Sequence, residues 1–326
     1  MGKPQTINGL MRHLREHCNV QIHGSYQKKQ LICYGYYHGY KGYRFVKKST
    51  NRIPYTKFEE VVSVIEYDNQ LKAALYTPLM FMEMSIKNMI CNESLSDMTE
   101  ETFEAVYRDR MNDRPADRKL RSRRLKLRNT IYAHISNRYR DEEQMDNQMV
   151  RHFYDRGSDV PMWVIFEFMY VSDLAAFFDC LNRDVKFDIL NQLHMRDEGI
   201  DTNGRLLSDI LYTLKALRNA VAHNNIIFDA RFKDRKISNI LKGWIEKETQ
   251  MQNMSLNSVA DYIVVLCVLL KKIDFSMDRA MELIEAYKKA TYHLQEQVPD
   301  SITEMIIQKN IAKKIQALEV YLYRKQ

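Results

Sequence analysis

Glycine and proline are scarce, at 10 and 6 of 326 residues. Together with long periodic apolar stretches, this shortage of chain breakers predicts an almost all-α protein. No internal repeat, low-complexity segment or proline-rich linker divides the chain. The five cysteines (18, 33, 91, 180 and 267) form no CxxC pair. That argues against a zinc site or disulfide framework and for reduced thiols in a cytoplasmic protein. The opening MGKPQTINGL has no apolar h-region, so no secretory signal is expected. The most apolar run, Val264–Leu270, falls far short of the ~20 residues a membrane span needs and reads as a buried helix. Hydrophobic residues at 45% and charged residues at 28% fit a globular chain with a sizeable core.

Acidic residues are missing where basic ones gather. Between His17 and Phe58 there is no Asp or Glu, while Lys28, Lys29, Lys41, Arg44, Lys47, Lys48, Arg52 and Lys57 alternate with tyrosines. From Arg108 to Arg128, ten basic residues face three acids, an excess equal to the whole chain's net charge of +7. Cations hold phosphates and aromatic rings stack on unpaired bases, so the two zones predict an RNA partner. The candidate contacts are Tyr36, Tyr37, Tyr40, Lys41, Tyr43, Arg44, Lys47 and Lys48 in the first zone. In the second they are Arg118, Lys119, Arg121, Arg123, Arg124, Lys126 and Arg128. The alternative is a solvated basic helix beside tyrosines in a small core.

Residues 1–56 read as a basic, tyrosine-rich region and 57–326 as a helical body, with a basic helical insertion at about 108–140. A short helix is expected over Ile7–His17, then a turn-rich or short-strand stretch to Arg52. Thr77-Pro78 reads as an N-cap and first helical residue. Further helices are expected over 117–140, from Pro161 through MWVIFEFMYVSDLAAFFDCL, from Asn203 or Gly204, and near 232–249, 256–272, 276–296 and 301–324. His13 and His17 lie one turn apart with no third ligand at a useful spacing, and read as surface histidines.

The stretch LRNAVAHNN, Leu217–Asn225, breaks its own helix pattern. At ~100° per residue, Leu207, Ile210, Leu211, Leu214, Leu217 and Val221 form one apolar stripe, and Arg218 falls inside it. His223 lies about 140° away from Arg218 on the same wheel. A guanidinium in an apolar stripe must snorkel out, pair with an acid such as Glu83 or Glu167, or border a cleft that receives an anion.

Arg-Asn-Ala-Val-Ala-His at the end of an amphipathic helix resembles the R-x4-6-H signature of HEPN ribonucleases. Three other blocks accompany it in order: LICYGYYHGYKGYRF from Leu31, LMFMEMSIKNMI from Leu79 and PMWVIFE from Pro161. Together they resemble the Abi (abortive infection) family of the AbiD/AbiF type. Three departures stand out: Ser172 where the family commonly has Gly, Asn224 where it has a second His, and Ile226–Asp229 where it has an Arg-Leu-x-Asn segment. The resemblance implies an all-α, HEPN-like helical bundle and a metal-independent endoribonuclease acting as an antiphage toxin. Arg218, Asn219 and His223 would be its catalytic residues, and no metal or other cofactor is implied. One motif per chain implies a homodimer, and the AbiF branch implies a bound regulatory noncoding RNA. Arg128–His134 also fits R-x4-6-H in form. The rival reading is a non-catalytic RNA-binding protein in which the motif is structural.

Overall fold

The computed structural model describes residues 6–113, 116–140, 145–273 and 277–324. The helices are α1 (Ile7–Cys18), α2 (Gly24–Tyr34), α3 (Phe58–Leu95), α4 (Phe103–Asp109), α5 (Arg118–Arg140), α6 (Met145–Tyr154), α7 (Met162–Phe168) and α8 (Val171–Cys180). They continue with α9 (Arg183–Gln192), α10 (Leu206–Ala222), α11 (Asn239–Thr249), α12 (Val259–Lys272), α13 (Met277–Gln297), α14 (Asp300–Ile306) and α15 (Ile311–Tyr323). A π-helical segment, Gly35–Lys41, follows α2. No β-strand occurs among the described residues, so the fold is all-α.

Helix α3 is the spine. It packs against α13, α10 and α12, and its buried residues Val61, Val64, Asp68, Leu71, Leu75, Leu79, Met82, Ile86 and Ile90 recur at three- and four-residue steps. The expected start at Thr77-Pro78 is overturned, because the helix runs through Pro78. An interior proline costs roughly 3 kcal/mol. Each fully buried Leu or Met returns about 1.5–3 kcal/mol, and Leu75, Leu79 and Met82 flank the proline at helical spacing. Every residue of α12 is buried, as its apolar run requires, and no described helix is long and apolar enough to cross a membrane.

Other boundaries differ from expectation. The stretch after α1 is mostly α2 and the π-helical segment, and only residues 44–52 are the expected bends and turns, with an isolated Phe45–Arg52 bridge. Gly39 permits the wide turn, since a Cβ there would meet the Tyr34 carbonyl oxygen at 2.8 Å. The helix expected from Pro161 is two helices, because Met169 and Tyr170 are extended (ψ 130° and 153°). Phe168, Met169 and Val171 are all in the core, which one straight helix would spread around its axis. The C-terminal helix is likewise two, α14 and α15. The tyrosine-rich start shares one hydrophobic core with the helical body, with the Tyr43 ring stacked 5.8 Å from Phe228. Lys57 is the N-cap of α3.

Candidate functional site

The apolar stripe of α10 is buried throughout: Leu207, Ile210, Leu211, Leu214 and Leu217 are fully enclosed and Val221 is 8% exposed. Arg218 interrupts it at the edge of the core. Its Nε donates to Glu83 Oε2 of α3 at 2.9 Å, and Lys87 Nζ meets the other carboxylate oxygen at 3.0 Å. The glutamate therefore sits between two cations, and all three side chains are largely enclosed (12%, 13% and 27% exposed for Glu83, Lys87 and Arg218). Of the outcomes open to a misplaced arginine, pairing with Glu83 is realised, and the paired residue also borders a cleft. The pairing spends only the Nε donor. NH1 lies 3.5 Å from Asn219 Oδ1, and NH2 has no hydrogen-bond partner among the described residues. These groups border a cleft of about 190 Å³ whose walls include Met80, Met84, Asn88, Phe166 and Glu167.

His223 is the C-cap of α10, exposed, with no side-chain hydrogen bond among the described residues. It does not line the Arg218 cleft. On one helix the two residues are ~7.5 Å apart along the axis and ~140° apart around it. Within one chain they do not face a common opening.

The chain after His223 is held by a buried polar network that the sequence reading did not identify. Asn224 adopts a left-handed conformation (φ 52°), which asparagine tolerates at helix ends. Its Oδ1 accepts from Lys72 Nζ at 2.6 Å. Asp68, fully buried on α3, accepts from the Ile227 and Phe228 amides at 2.9 and 2.6 Å, from Tyr43 Oη at 2.7 Å and from Lys72 at 3.2 Å. Burial pushes the Asp68 carboxyl above the ordinary carboxylate range, opposed first by Lys72. Asp229 accepts from the Lys47 amide and from Arg231, whose terminal nitrogens reach the Gly42 and Phe45 carbonyls. Here Asn224, a departure from the family pattern, ties the helix end to α3 through Lys72, and Asp229, in another departing segment, ties the chain beyond it to the tyrosine-rich segment through the Lys47 amide. The available sequence signal was a pair of charges, Asp68 and Lys72, at i,i+4 inside an apolar helix.

The candidate RNA contacts separate into two groups. Tyr36, Tyr40 and Tyr43 are 9%, 6% and 0% exposed, and Arg124 is 5% exposed. These four are corrected from contacts to structural residues: a base cannot stack on a ring already covered by protein. Tyr43 holds Asp68. Arg124 lies over the Tyr107 ring, donates to the Tyr107 carbonyl and pairs with Asp113 at 3.0 Å. The others stay within reach of solvent. Tyr37 is 75% exposed with Lys41 Nζ 4.7 Å from its centroid. Lys47, Lys48, Arg118, Lys119, Arg121, Arg123 and Lys126 are exposed, and Arg44 is half-buried. Arg128 is paired with Glu104 at 2.8 Å.

The second R-x4-6-H match does not assemble a pair. Arg128 and His134 lie on unbroken α5, and His134 bonds Asp173 at 2.9 Å rather than approaching Arg128's partner. The rings of His13 and His17 are 5.1 Å apart, and no group of three or more potential metal ligands occurs among the described residues.

No curated protein and no solved structure matches the chain significantly. The model of one protein family, described as Abi-like protein, matches residues 29–229. That span runs from within α2, across the tyrosines at 34–43, through α3, the α7 glutamate and the α10 motif to Asp229, and covers more than half of the sequence. The chain therefore belongs to the Abi-like protein family.

Proposed function

We propose that the chain is a metal-independent endoribonuclease of the HEPN type, serving as an antiphage toxin, with Arg218, Asn219 and His223 as its catalytic residues. The observation that carries this reading is the state of Arg218. A carboxylate fixes its Nε, while NH2 remains unspent at the edge of a small cleft. An arginine anchored in this way is pre-oriented for a phosphate oxygen, since little rotamer freedom is left to lose.

In the proposed reaction His223 takes the proton of a 2′-hydroxyl as that oxygen attacks the adjacent phosphorus. A second imidazole returns a proton to the departing 5′-oxygen. The products are a 2′,3′-cyclic phosphate and a 5′-hydroxyl. Arg218 stabilises charge on the non-bridging oxygens, a contribution of order 10²–10³ in rate. Histidine can both take and return a proton near neutral pH, which suits both transfers. Asn219, beside the guanidinium, orients it. Arg218 and His223 diverge within one chain, so the site is completed by a second copy. The exposed Met84, which lines the cleft, supplies an apolar contact for that copy. The exposed cations of α5 and Lys47–Lys48 hold the RNA backbone, including that of a bound noncoding RNA.

The test is cleavage of labelled single-stranded RNA in EDTA by the wild-type chain and by His223→Ala. The proposal expects EDTA-resistant cleavage that the substitution abolishes. Cleavage unchanged in the variant, or abolished by EDTA, rejects it. The Arg218–Glu83 ion pair also favours the rival, a non-catalytic RNA-binding protein. That reading expects Arg218→Ala to lower the melting temperature and leave RNA affinity intact, with no cleavage by either protein.

A further inference from the structure

Between α5, α8 and α10 lies a cleft of about 450 Å³, separate from the Arg218 site and within the size range of small-molecule sites. Its lining is divided by charge. Arg123 and Lys126 come from α5, Ser172, Asp173 and Asp179 from α8, and Tyr212 from α10. Neither Arg123 nor Lys126 forms an ion pair among the described residues, although two carboxylates line the same cleft.

Those carboxylates are fixed from behind. Asp173 Oδ2 bonds His134 Nε2 at 2.9 Å, and Asp179 Oδ1 accepts from Ser208 Oγ at 2.7 Å. The second oxygen of each has no partner among the described residues. Tyr212 is stiffened by the Arg235 guanidinium, 4.3 Å from its ring centroid. Burial holds the Tyr212 phenol up at about 12, so it stays an O–H donor at neutral pH. Cations and carboxylates that share a cleft without meeting leave unspent donors on one wall and unspent acceptors on the other.

A free inorganic anion would use only the basic wall, and a polyamine only the acidic one. A nucleotide uses both. Its phosphate takes the Arg and Lys, its base N–H groups meet the carboxylates, and its ring has an aromatic neighbour. We infer that this cleft binds one nucleotide unit, phosphate toward Arg123 and Lys126 and base edge toward Asp173 and Asp179. The unit comes either from a free nucleoside monophosphate or from a single unpaired residue of an RNA strand. The inference does not depend on cleavage at Arg218 and His223.

The probes are guanosine monophosphate, inorganic phosphate and a single-stranded 2′-O-methyl RNA oligomer, which has no 2′-hydroxyl to react. Affinities are measured by calorimetry on the full chain. Guanosine monophosphate binding at least tenfold tighter than phosphate supports the inference with a free nucleotide as ligand. Oligomer binding without free-nucleotide binding supports the strand as the source, provided that filling the cleft with Ser172→Trp weakens it about tenfold or more. The double substitution Arg123→Gln/Lys126→Gln removes exposed charges only, so the fold is kept. It should weaken either ligand by about tenfold or more, as expected for lost charge-assisted hydrogen bonds. The inference is overturned if neither probe binds, or if Ser172→Trp folds and leaves affinity unchanged. It is equally overturned if the charge substitutions leave the affinities for guanosine monophosphate and the oligomer unchanged. Absence of cleavage of ordinary RNA would reject the ribonuclease proposal and leave these binding results standing.

Discussion

Asp68→Asn is the substitution whose cost the structure specifies most closely. The buried carboxylate accepts four donors: two backbone amides on one oxygen, Tyr43 and Lys72 on the other. An asparagine can keep its oxygen toward the amides, but its NH₂ group then faces Lys72, a donor opposite a donor. The Lys72 side chain is only 8% exposed and keeps Asn224 as its one neutral partner. Stranding one member of a buried ion pair costs about 3–5 kcal/mol. A chain of 326 residues gains roughly 0.7 kcal/mol/K of entropy on unfolding, so each kcal/mol shifts the melting temperature by about 1.5 °C. The expected loss is about 5–7 °C by differential scanning calorimetry. Adding Lys72→Met removes the stranded charge, and the double variant should melt above Asp68→Asn alone, a coupling of about 2 kcal/mol. Hydrogen exchange at the Ile227 and Phe228 amides should quicken in both variants. A drop below about 2 °C, or a double variant less stable than Asp68→Asn, would refute the reasoning.

Other expectations follow from burial and exposure. Met84→Glu places a charge on a side chain 54% exposed beside the Arg218 cleft; light scattering should show a smaller particle than wild type, with an unchanged circular dichroism spectrum. An identical mass for both would remove this face from the proposed dimer. Burial holds the Cys91 and Cys180 thiols at about 11, whereas Cys33 is exposed. At pH ~8 only about one in a thousand of those two buried thiols is ionised, so iodoacetamide should mark Cys33 and spare them in peptide mass spectra. Equal labelling of Cys180 and Cys33 would contradict the packing. Tyr34 is held up at about 12 by its hydrogen bond to Glu66, and Tyr132 at about 12 by burial and Glu104. Because these folded values exceed the unfolded one near ~10, their stabilisation is complete below pH ~10 and lost as pH rises toward ~12. Denaturation midpoints should fall over that interval, and a flat midpoint would count against both hydrogen bonds.

Much of the helical layout was legible because period and breaker content are local properties. α1, α5 and α12 fall within a residue or a few of their expected bounds. Pro78 was misread because a proline after threonine is a strong local start signal, and only the neighbours of α3 reveal the burial that overrides it. The tyrosines misled for a related reason. Tyr37 and Tyr43 look alike in sequence, yet one is 75% exposed and the other fully covered. Arg218 was identifiable as misplaced from its angle on the helix wheel. Its choice of Glu83 over Glu167 was not, since that depends on how α3 crosses α10.

By itself the sequence determined the helical class, the basic surfaces, the family and the one arginine out of place in an apolar stripe. The helical class, the basic surfaces and the misplaced arginine rest on composition, periodicity and spacing along a single helix, and the family on the resemblance of four blocks in order. The tertiary structure alone decided which carboxylate claims Arg218 and which tyrosines are walls rather than surface. It alone brought Asp68 and Lys72 to the chain beyond His223, and set Arg123 and Lys126 across a cleft from Asp173 and Asp179. Such pairings join residues tens to more than a hundred positions apart, and their partners are fixed by helix packing angles that no local pattern encodes.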